Sequence, residues 1–198
     1  MIRLSSVIAK WLQTSGAISA SDLKLYSYGI YTFLLSVFPV AAAVIVGLFV
    51  NMVPQSVVMI LPFILLRKFS GGFHLKSSVA CTFSSFALLS LFLYMIYLVN
   101  SNKCIFPTLT VTFLATLCIF LNSPIDSEER RLTPEETVAF KSITKVLVCL
   151  MFGLYLSLLY FKQTDWSTCV SAGIILTAIL QIPCILKRSF KSFLLFHR

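Results

Sequence analysis

The chain has 198 residues, of which 58% are hydrophobic and only 12% are charged, and its mean hydropathy is +0.93. This composition leaves too little polar surface to cover a soluble globule, so it predicts an all-α polytopic membrane protein with one membrane domain over residues 1–198. The net charge of +9 comes from 16 basic and 7 acidic residues, and because the basic residues lie between apolar stretches they indicate membrane orientation rather than nucleic-acid binding.

Residues 1–29 are predicted to form an amphipathic helix at the membrane interface. Apolar side chains recur there at helical spacing, while Arg3, Lys10 and Gln13 take the other face. The apolar run starts too late for a secretory signal, and no small-residue cleavage site follows it. A short helix packed on the rest of the protein explains the pattern equally well.

The first two long apolar stretches are residues 30–50 and 53–66. The first has the length of a transmembrane helix and contains Pro39, which membrane helices tolerate when neighbours satisfy the freed carbonyl. The second has only fourteen residues and two prolines, whereas a span needs about 20 residues. We therefore predict about six transmembrane helices, of which the second is short, tilted or re-entrant.

A polar segment, residues 67–81, separates two apolar runs and contains the only histidine in the interior of the chain. It reads Arg-Lys-Phe-Ser-Gly-Gly-Phe-His-Leu-Lys-Ser-Ser-Val-Ala-Cys. A thiol attacks only as its thiolate, so a nucleophilic cysteine needs a base and a group that stabilises the anion. A helix that begins near residue 79, capped by one of the two preceding serines, places Cys81 in its first turn, where the helix dipole favours an anion. This pattern predicts a catalytic loop over residues 67–78, with His74 as general base and Cys81 as nucleophile.

The spacing of the two candidate residues requires a bend in the chain. His74 and Cys81 are seven residues apart, which in a straight helix separates them by roughly 10 Å along the axis. Gly71 and Gly72 favour a loop and so allow the chain to fold back. The ordinary alternatives are a small core cysteine and a solvated loop histidine. Every acid lies far along the chain from His74, so the prediction is a dyad.

The remaining spans are predicted at residues 79–99, 104–121, 134–161 and 166–186. Residues 122–141 form a polar loop that holds five of the seven acids. Within this loop Thr133, Pro134 and Glu136 have the residue types of a helix cap, a first helical position and a capping box, so a helix is predicted to begin there and to continue into the membrane. Residues 187–198 form a basic tail.

The distribution of basic residues predicts the orientation. If residues 53–66 cross the membrane, 14 of the 16 basic residues lie on one side, and only Lys103 and Lys162 lie on the other. Cytoplasmic loops carry the excess of lysine and arginine in membrane proteins. We therefore predict a multi-pass protein of the cell membrane with both termini and the loops 67–78 and 122–141 in the cytoplasm.

The six cysteines predict neither a disulfide framework nor a metal site. Apart from Cys81 they are scattered through apolar segments without paired spacing, and the chain has no CxxC pair and no cluster of histidine and cysteine. Free thiols are the expected state, with a bridge between Cys104 and Cys169 as the minor alternative if both lie near the outer face, and neither a metal nor another cofactor is predicted.

Two stretches of the chain carry motifs that fit a known family. The first is Arg67-Lys68-Phe69, Gly71-Gly72-Phe73-His74 and Cys81, and the second runs from Ser123-Pro124-Ile125-Asp126 to Arg131-Leu132-Thr133-Pro134-Glu135-Glu136. Together these motifs resemble the accessory gene regulator B (AgrB) family, the membrane cysteine endopeptidases that process autoinducing-peptide precursors. The chain departs from the family pattern at Leu75, where many members have a small residue, and at Arg130 and Arg131, where the basic residues are often lysines.

The resemblance implies a reaction and a partner. The expected partner is a quorum-sensing propeptide with an amphipathic start and an acidic C-terminal tail, from which the C-terminal part is cleaved through an acyl-enzyme before a thiolactone or lactone ring closes. Arg67 is the candidate for binding a substrate carboxylate or the oxyanion, and Gly71 and Gly72 shape the loop or donate backbone N–H groups to the oxyanion. Arg130 and Arg131 are candidates for holding the acidic tail. A topology-setting role explains the three arginines as well, and a homodimer stays open.

Two other classes of protein compete with the peptidase. A small membrane transporter or channel component fits the proline-interrupted spans, although no ionisable residue falls inside a central membrane stretch. A noncatalytic membrane scaffold fits the amphipathic ends and predicts an unreactive Cys81. A lipid acyltransferase is disfavoured because the chain lacks an Asp-His-His-Cys sequence.

Overall fold

A computed structural model describes residues 2–72, 78–102, 105–125 and 133–196, and this part of the chain is helical throughout apart from turns and loops. The α-helices are α1 (Ile2–Thr14), α2 (Leu23–Phe49), α3 (Val53–Ser70), α4 (Ser78–Asn102), α5 (Ile105–Asn122), α6 (Pro134–Tyr160) and α7 (Thr164–Phe196). The prediction of an all-α polytopic fold is confirmed. The chain divides into two compact units, Met1–Ala42 and Ala43–Arg198.

The first unit contains α1, whose apolar stripe is exposed. Leu4, Val7 and Trp11 are 52%, 62% and 65% exposed, whereas Ser5 and Ala9 on the opposite side are buried. An exposed apolar stripe is typical of a helix that lies in a membrane interface. An N-terminal amphipathic helix is therefore present, but it covers Ile2–Thr14 rather than residues 1–29, because the chain turns at Gly16 and α2 begins at Leu23. Its position in the interface stays a prediction.

The end of α1 and the start of α2 follow from local chemistry. Gly16 has a φ of +75°, and its N–H donates to the Gln13 carbonyl while the Ala17 N–H donates to the Leu12 carbonyl. This pair of bonds is a Schellman motif, which satisfies the last carbonyls of a helix. The next helix then begins at Leu23, so it extends the predicted first span toward the N-terminus.

Among the described residues of the second unit, five helices are long and apolar enough to cross a membrane. They cover Val53–Ser70, Phe83–Asn102, Ile105–Asn122, Pro134–Tyr160 and Thr164–Lys187. The preceding helix α2 contains the shorter apolar stretch Val37–Phe49, at the position of the predicted first span.

Helix α3 differs from its predicted length. It has 18 residues and continues through Arg67 and Lys68 to Ser70, so the first residues of the predicted catalytic loop are helical. A helix of this length measures about 27 Å, close to the ~30 Å hydrocarbon core. Pro54 lies in the first turn, where its missing N–H needs no partner, and Pro62 lies inside the helix, which continues without a break from Val53 to Ser70.

Helix α7 is the centre of the second unit and contacts α3, α4, α5 and α6. Of the residues in its most apolar stretch, 56% are buried, against 17–33% in the other four candidate spans. Its small residues allow close packing: the hydroxyls of Ser171 and Thr112 on α5 are hydrogen-bonded at 2.6 Å, and Gly173 lies against the α3 backbone. Small residues at such contacts are typical of membrane helix bundles.

The start of α6 is confirmed in detail. Thr133 accepts a hydrogen bond on its hydroxyl from the Glu136 N–H at 3.2 Å, and its own N–H donates to the Glu136 carboxylate at 3.0 Å. Pro134 occupies the first helical position.

The last helix, α7, runs to Phe196, so most of the predicted basic tail, residues 187–198, continues this helix.

Candidate functional site

The first motif stretch begins on the last turn of α3. Arg67 donates a hydrogen bond from Nη1 to the Gly71 carbonyl at 3.1 Å, which places a cation at the negative end of the helix. Gly71 and Gly72 have φ values of +72° and +136°, conformations that glycine adopts without steric cost. The helix therefore ends at Ser70 because the glycine pair turns the chain and Arg67 holds the turn.

The first residues of the second motif stretch, residues 123–125, lie against this turn. The Ile125 N–H donates to the Ser70 carbonyl at 2.9 Å, and Gly71 pairs with Ile125 in an isolated parallel β-bridge. A Cβ at Gly71 would collide with the Ile125 carbonyl oxygen, so the close approach requires glycine. The bond between Ser123 and Pro124 is cis. The structure thus brings together two stretches that are far apart in the sequence.

A third segment, from α7, completes this contact. Gln181 is fully buried and donates from Nε2 to the Ser123 hydroxyl at 2.9 Å and to the Ser70 carbonyl at 3.4 Å. A Cβ at Gly72 would overlap the Arg67 guanidinium and lie 3.1 Å from the Leu180 carbonyl oxygen. We call this meeting point of the α3 end, the α5–α6 loop and α7 the junction.

The junction fixes the relative direction of the helices. Gly173 and Gln181 of α7 lie against Met59 and Ser70 of α3 in the same order along both helices. Ser171 and Gln181 likewise lie against Thr112 of α5 and Ser123 just after its end, so these three helices run in the same direction. Helices α4 and α6 begin shortly afterwards in the chain. The described ends of the two loops, residues 71–72 and 123–125, therefore lie together at that end of the bundle, and the predicted side of the membrane for the loops 67–78 and 122–141 stays a prediction.

Aromatic side chains connect the α3 end to α6 beside the junction. The rings of Phe69 and Phe140 meet edge to face with centroids 5.6 Å apart, and Lys68 Nζ lies 5.6 Å from the Phe69 centroid. On α6, Lys145 Nζ lies 4.8 Å from the Phe120 centroid. Lys68 lies in the last turn of α3 and Lys145 lies within α6; in both cases the aliphatic part of the side chain can cover apolar surface and the ammonium group faces an aromatic ring.

The predicted catalytic residues are located only in part. Helix α4 begins at Ser78, so Cys81 belongs to its first turn, as expected from the sequence. His74, Arg130 and Arg131 lie outside the described residues. Arg67, predicted to contact substrate, donates a hydrogen bond to its own helix end. The dyad and the substrate contacts stay predictions.

Sequence reasoning did not identify Gln181 or Ser123 as contact residues. The available signal was a carboxamide inside an otherwise apolar span, because a polar side chain at that depth needs a hydrogen-bonding partner. The partners could not be inferred, since they lie on two other segments of the chain.

Two other features of the described residues lie apart from the junction. No group of three or more histidine, cysteine or acidic residues could hold a metal ion within the part of the chain that the structure describes. A cavity of about 410 Å³ in the first unit is lined by α1 and α2 residues, among them Lys10, Lys24 and Tyr31, and includes no predicted site residue.

Comparisons with known proteins agree with the motifs. The family model described as Accessory gene regulator B matches residues 5–182. A protein of Clostridium perfringens strain 13 named AgrB-like protein 2 is 21% identical over 171 residues, which cover 83% of this chain and 80% of the relative. An AgrB-like protein of strain SM101 has the same identity and coverage. No solved structure matches. Because the family model covers most of its length, the chain belongs to the accessory gene regulator B family.

Proposed function

We propose that this protein is a membrane-embedded cysteine endopeptidase that removes the C-terminal part of a quorum-sensing propeptide and promotes closure of a thiolactone or lactone ring. Family membership supports a role in accessory gene regulator peptide processing. One structural observation carries the proposal furthest: the two motif stretches meet at the bridge between Gly71 and Ile125. The helix that contains Cys81 begins shortly after this turn.

The first step is acylation of the enzyme. The Cys81 sulfur attacks the carbonyl carbon of the scissile peptide bond after His74 has accepted the thiol proton. The tetrahedral intermediate collapses to a thioester, and the C–N bond breaks as His74 returns the proton to the leaving amine. The N-terminal position of Cys81 on α4 favours this chemistry because backbone N–H groups and the helix dipole stabilise a thiolate.

The second step closes the ring. A cysteine or serine of the same propeptide attacks the thioester carbonyl, its proton passes through His74 to the Cys81 sulfur, and a thiolactone or lactone forms as the thiol is regenerated. Water competes with this attack and would give a linear peptide. A site at the membrane surface with little water favours the ring.

The basic residues around the site have separate proposed roles. Arg67 supports the turn through the Gly71 carbonyl, and its guanidinium has five donors, so it can hold the turn and still face a substrate carboxylate or the oxyanion. Arg130 and Arg131 follow the bridge residue Ile125 in the chain. We assign them to the acidic tail of the propeptide, because a guanidinium binds a carboxylate with two parallel hydrogen bonds.

The test is co-expression with a candidate propeptide, a short peptide with an amphipathic start, a central cysteine or serine and an acidic end, followed by mass spectrometry of the products. The wild type is expected to release the C-terminal part and to give the ring product, whereas Cys81→Ala and His74→Ala release neither while the protein stays in the membrane. Cys149→Ala, which removes an exposed thiol of α6, is the matched control and should cleave normally. Cleavage that survives in Cys81→Ala would refute the assignment.

A further inference from the structure

Gln181 is a buried carboxamide in the most buried helix of the bundle. Its side chain is fully buried, and it lies within the span Thr164–Lys187. Burying a carboxamide costs free energy unless its groups are hydrogen-bonded. The residue therefore needs an explanation from the contacts that it makes.

The contacts of Gln181 join the two motif stretches. Its NH₂ group donates to the Ser123 hydroxyl at 2.9 Å and to the Ser70 carbonyl at 3.4 Å. The Ser70 carbonyl also accepts the Ile125 N–H. One side chain of α7 thus fixes the end of α3 and the start of the α5–α6 loop, and it does so at the point where they pair with each other.

The stability of α7 does not by itself explain a glutamine at this position. The Gln181 Oε1 atom is buried and has no hydrogen-bond partner among the described residues, and an unpaired buried acceptor destabilises the folded state. A methionine of similar length would fill the space without an acceptor or a donor. What it would lose is the connection between Ser70 and Ser123.

We propose that Gln181 is a positioning residue of the peptidase site, which sets the catalytic loop and the tail-binding loop in register with each other. The inference rests on the proposed function. Downstream of Ser70 the chain leads to His74 and Cys81, and downstream of Ser123 it leads to Arg130 and Arg131. Fixing Ser70 against Ser123 couples the binding of the propeptide tail to the placement of the scissile bond at the thiol.

The test combines a side-chain change with a substrate change. Gln181→Met and wild type, purified in detergent, are assayed with the full propeptide and with a version whose acidic tail residues are replaced by asparagine and glutamine. Gln181→Met is expected to lower kcat for the full propeptide by roughly tenfold or more, because small displacements of reacting groups have effects of this size. Neutralising the tail should then lower kcat much less in the variant than in the wild type, because in the variant tail binding no longer places the scissile bond at the thiol.

Thr177→Val is the matched control on the same helix. Thr177 is also fully buried, and its hydroxyl donates to the Gly173 carbonyl within α7, so the change removes a buried polar group without touching the junction. It should leave the effect of tail neutralisation unchanged. If Gln181→Met does not accumulate in the membrane, Ser123→Ala removes the partner hydroxyl instead and is expected to show the same reduced tail effect.

The outcomes separate this inference from the proposed function. If Cys81→Ala is inactive while Gln181→Met keeps the wild-type kcat and the full tail effect, the positioning role is wrong and the peptidase assignment stands. If Gln181→Met lowered kcat by the same factor for the full propeptide and for the propeptide with the neutralised tail, the positioning role would also be wrong, because the change would then have damaged the site in general. If Cys81→Ala cleaves normally, the peptidase assignment itself is refuted, and the positioning role with it.

Discussion

Gly71 combines a backbone conformation and a contact that both exclude a side chain. Its φ is +72°, and a Cβ would collide with the Ile125 carbonyl oxygen. We expect Gly71→Ala to break the bridge between the two motif stretches, to destabilise the fold by about 1–3 kcal/mol and to reduce propeptide cleavage strongly. Thermal unfolding in detergent and the cleavage assay measure the two effects.

Gly153→Ala provides the comparison for this change. Gly153 lies within α6, and a Cβ there would have nothing within 4 Å. Since alanine favours a helix over glycine by up to about 1 kcal/mol, this variant should unfold at the wild-type temperature or slightly above it and should cleave normally. A Gly71→Ala protein that behaves like Gly153→Ala would show that the bridge is not needed.

Arg67 shows what the sequence can and cannot indicate about a single residue. Its type and its position in a polar segment predicted a fixed cation near the site, and the structure has one. The contact itself, a hydrogen bond to the Gly71 carbonyl, depends on where α3 ends. That end lies beyond the predicted boundary, because arginine and lysine are good helix formers and their long side chains reach the membrane surface from the last turn.

Helices α3 and α7 pack closely at Gly173. A Cβ at this position would lie 2.5 Å from the Met59 carbonyl oxygen and 3.1 Å from Pro62 Cβ. We expect Gly173→Ala to push α3 away from α7 and to destabilise the protein by about 1–3 kcal/mol, as small-to-large changes in packed interiors do. Because α3 carries the junction at its end, cleavage should fall as well.

Size-exclusion chromatography after heating, with Gly153→Ala as the helix-propensity control, measures the stability of the Gly173 variant. A cavity-making change, Met59→Ala, tests the same interface from the other side, since Met59 is fully buried on α3. Unfolding of Gly173→Ala at the Gly153→Ala temperature would mean that the two helices separate without cost and that the close approach does not stabilise the bundle.

Elements whose signals are local were predicted well, and contacts between distant elements were not. The start of α6 follows from Thr133, Pro134 and Glu136, which interact within one turn. The apolar stretches likewise indicated the spans, because hydropathy is a property of each segment. The junction depends on Gln181 meeting Ser123, and such pairing across the sequence is set by packing of the whole bundle, which periodicity does not encode.

At the scale of the whole molecule, the junction gives the charge pattern a structural basis. The ends of α3 and α5 meet there beside Gln181 of α7. In the sequence these two ends are followed by Lys76 and by Arg130 and Arg131, and Gln181 is followed by Lys187 within α7. We therefore expect the side of the bundle that carries the junction to be the basic side. In a membrane, the same excess of cations favours the cytoplasmic face.

The orientation can be tested with single cysteines in a variant whose six native cysteines are replaced. Gln163→Cys lies in the short α6–α7 connection next to Lys162, and Glu135→Cys lies at the opposite end of α6; both positions are exposed. We expect a membrane-impermeant maleimide to label Gln163→Cys in intact cells and to label Glu135→Cys only after the membrane is opened. The reverse orientation would place 14 cations outside, against the usual bias, so labelling of Glu135→Cys from outside would overturn the predicted topology. It would also remove the motif stretches from the compartment in which a newly made propeptide is present.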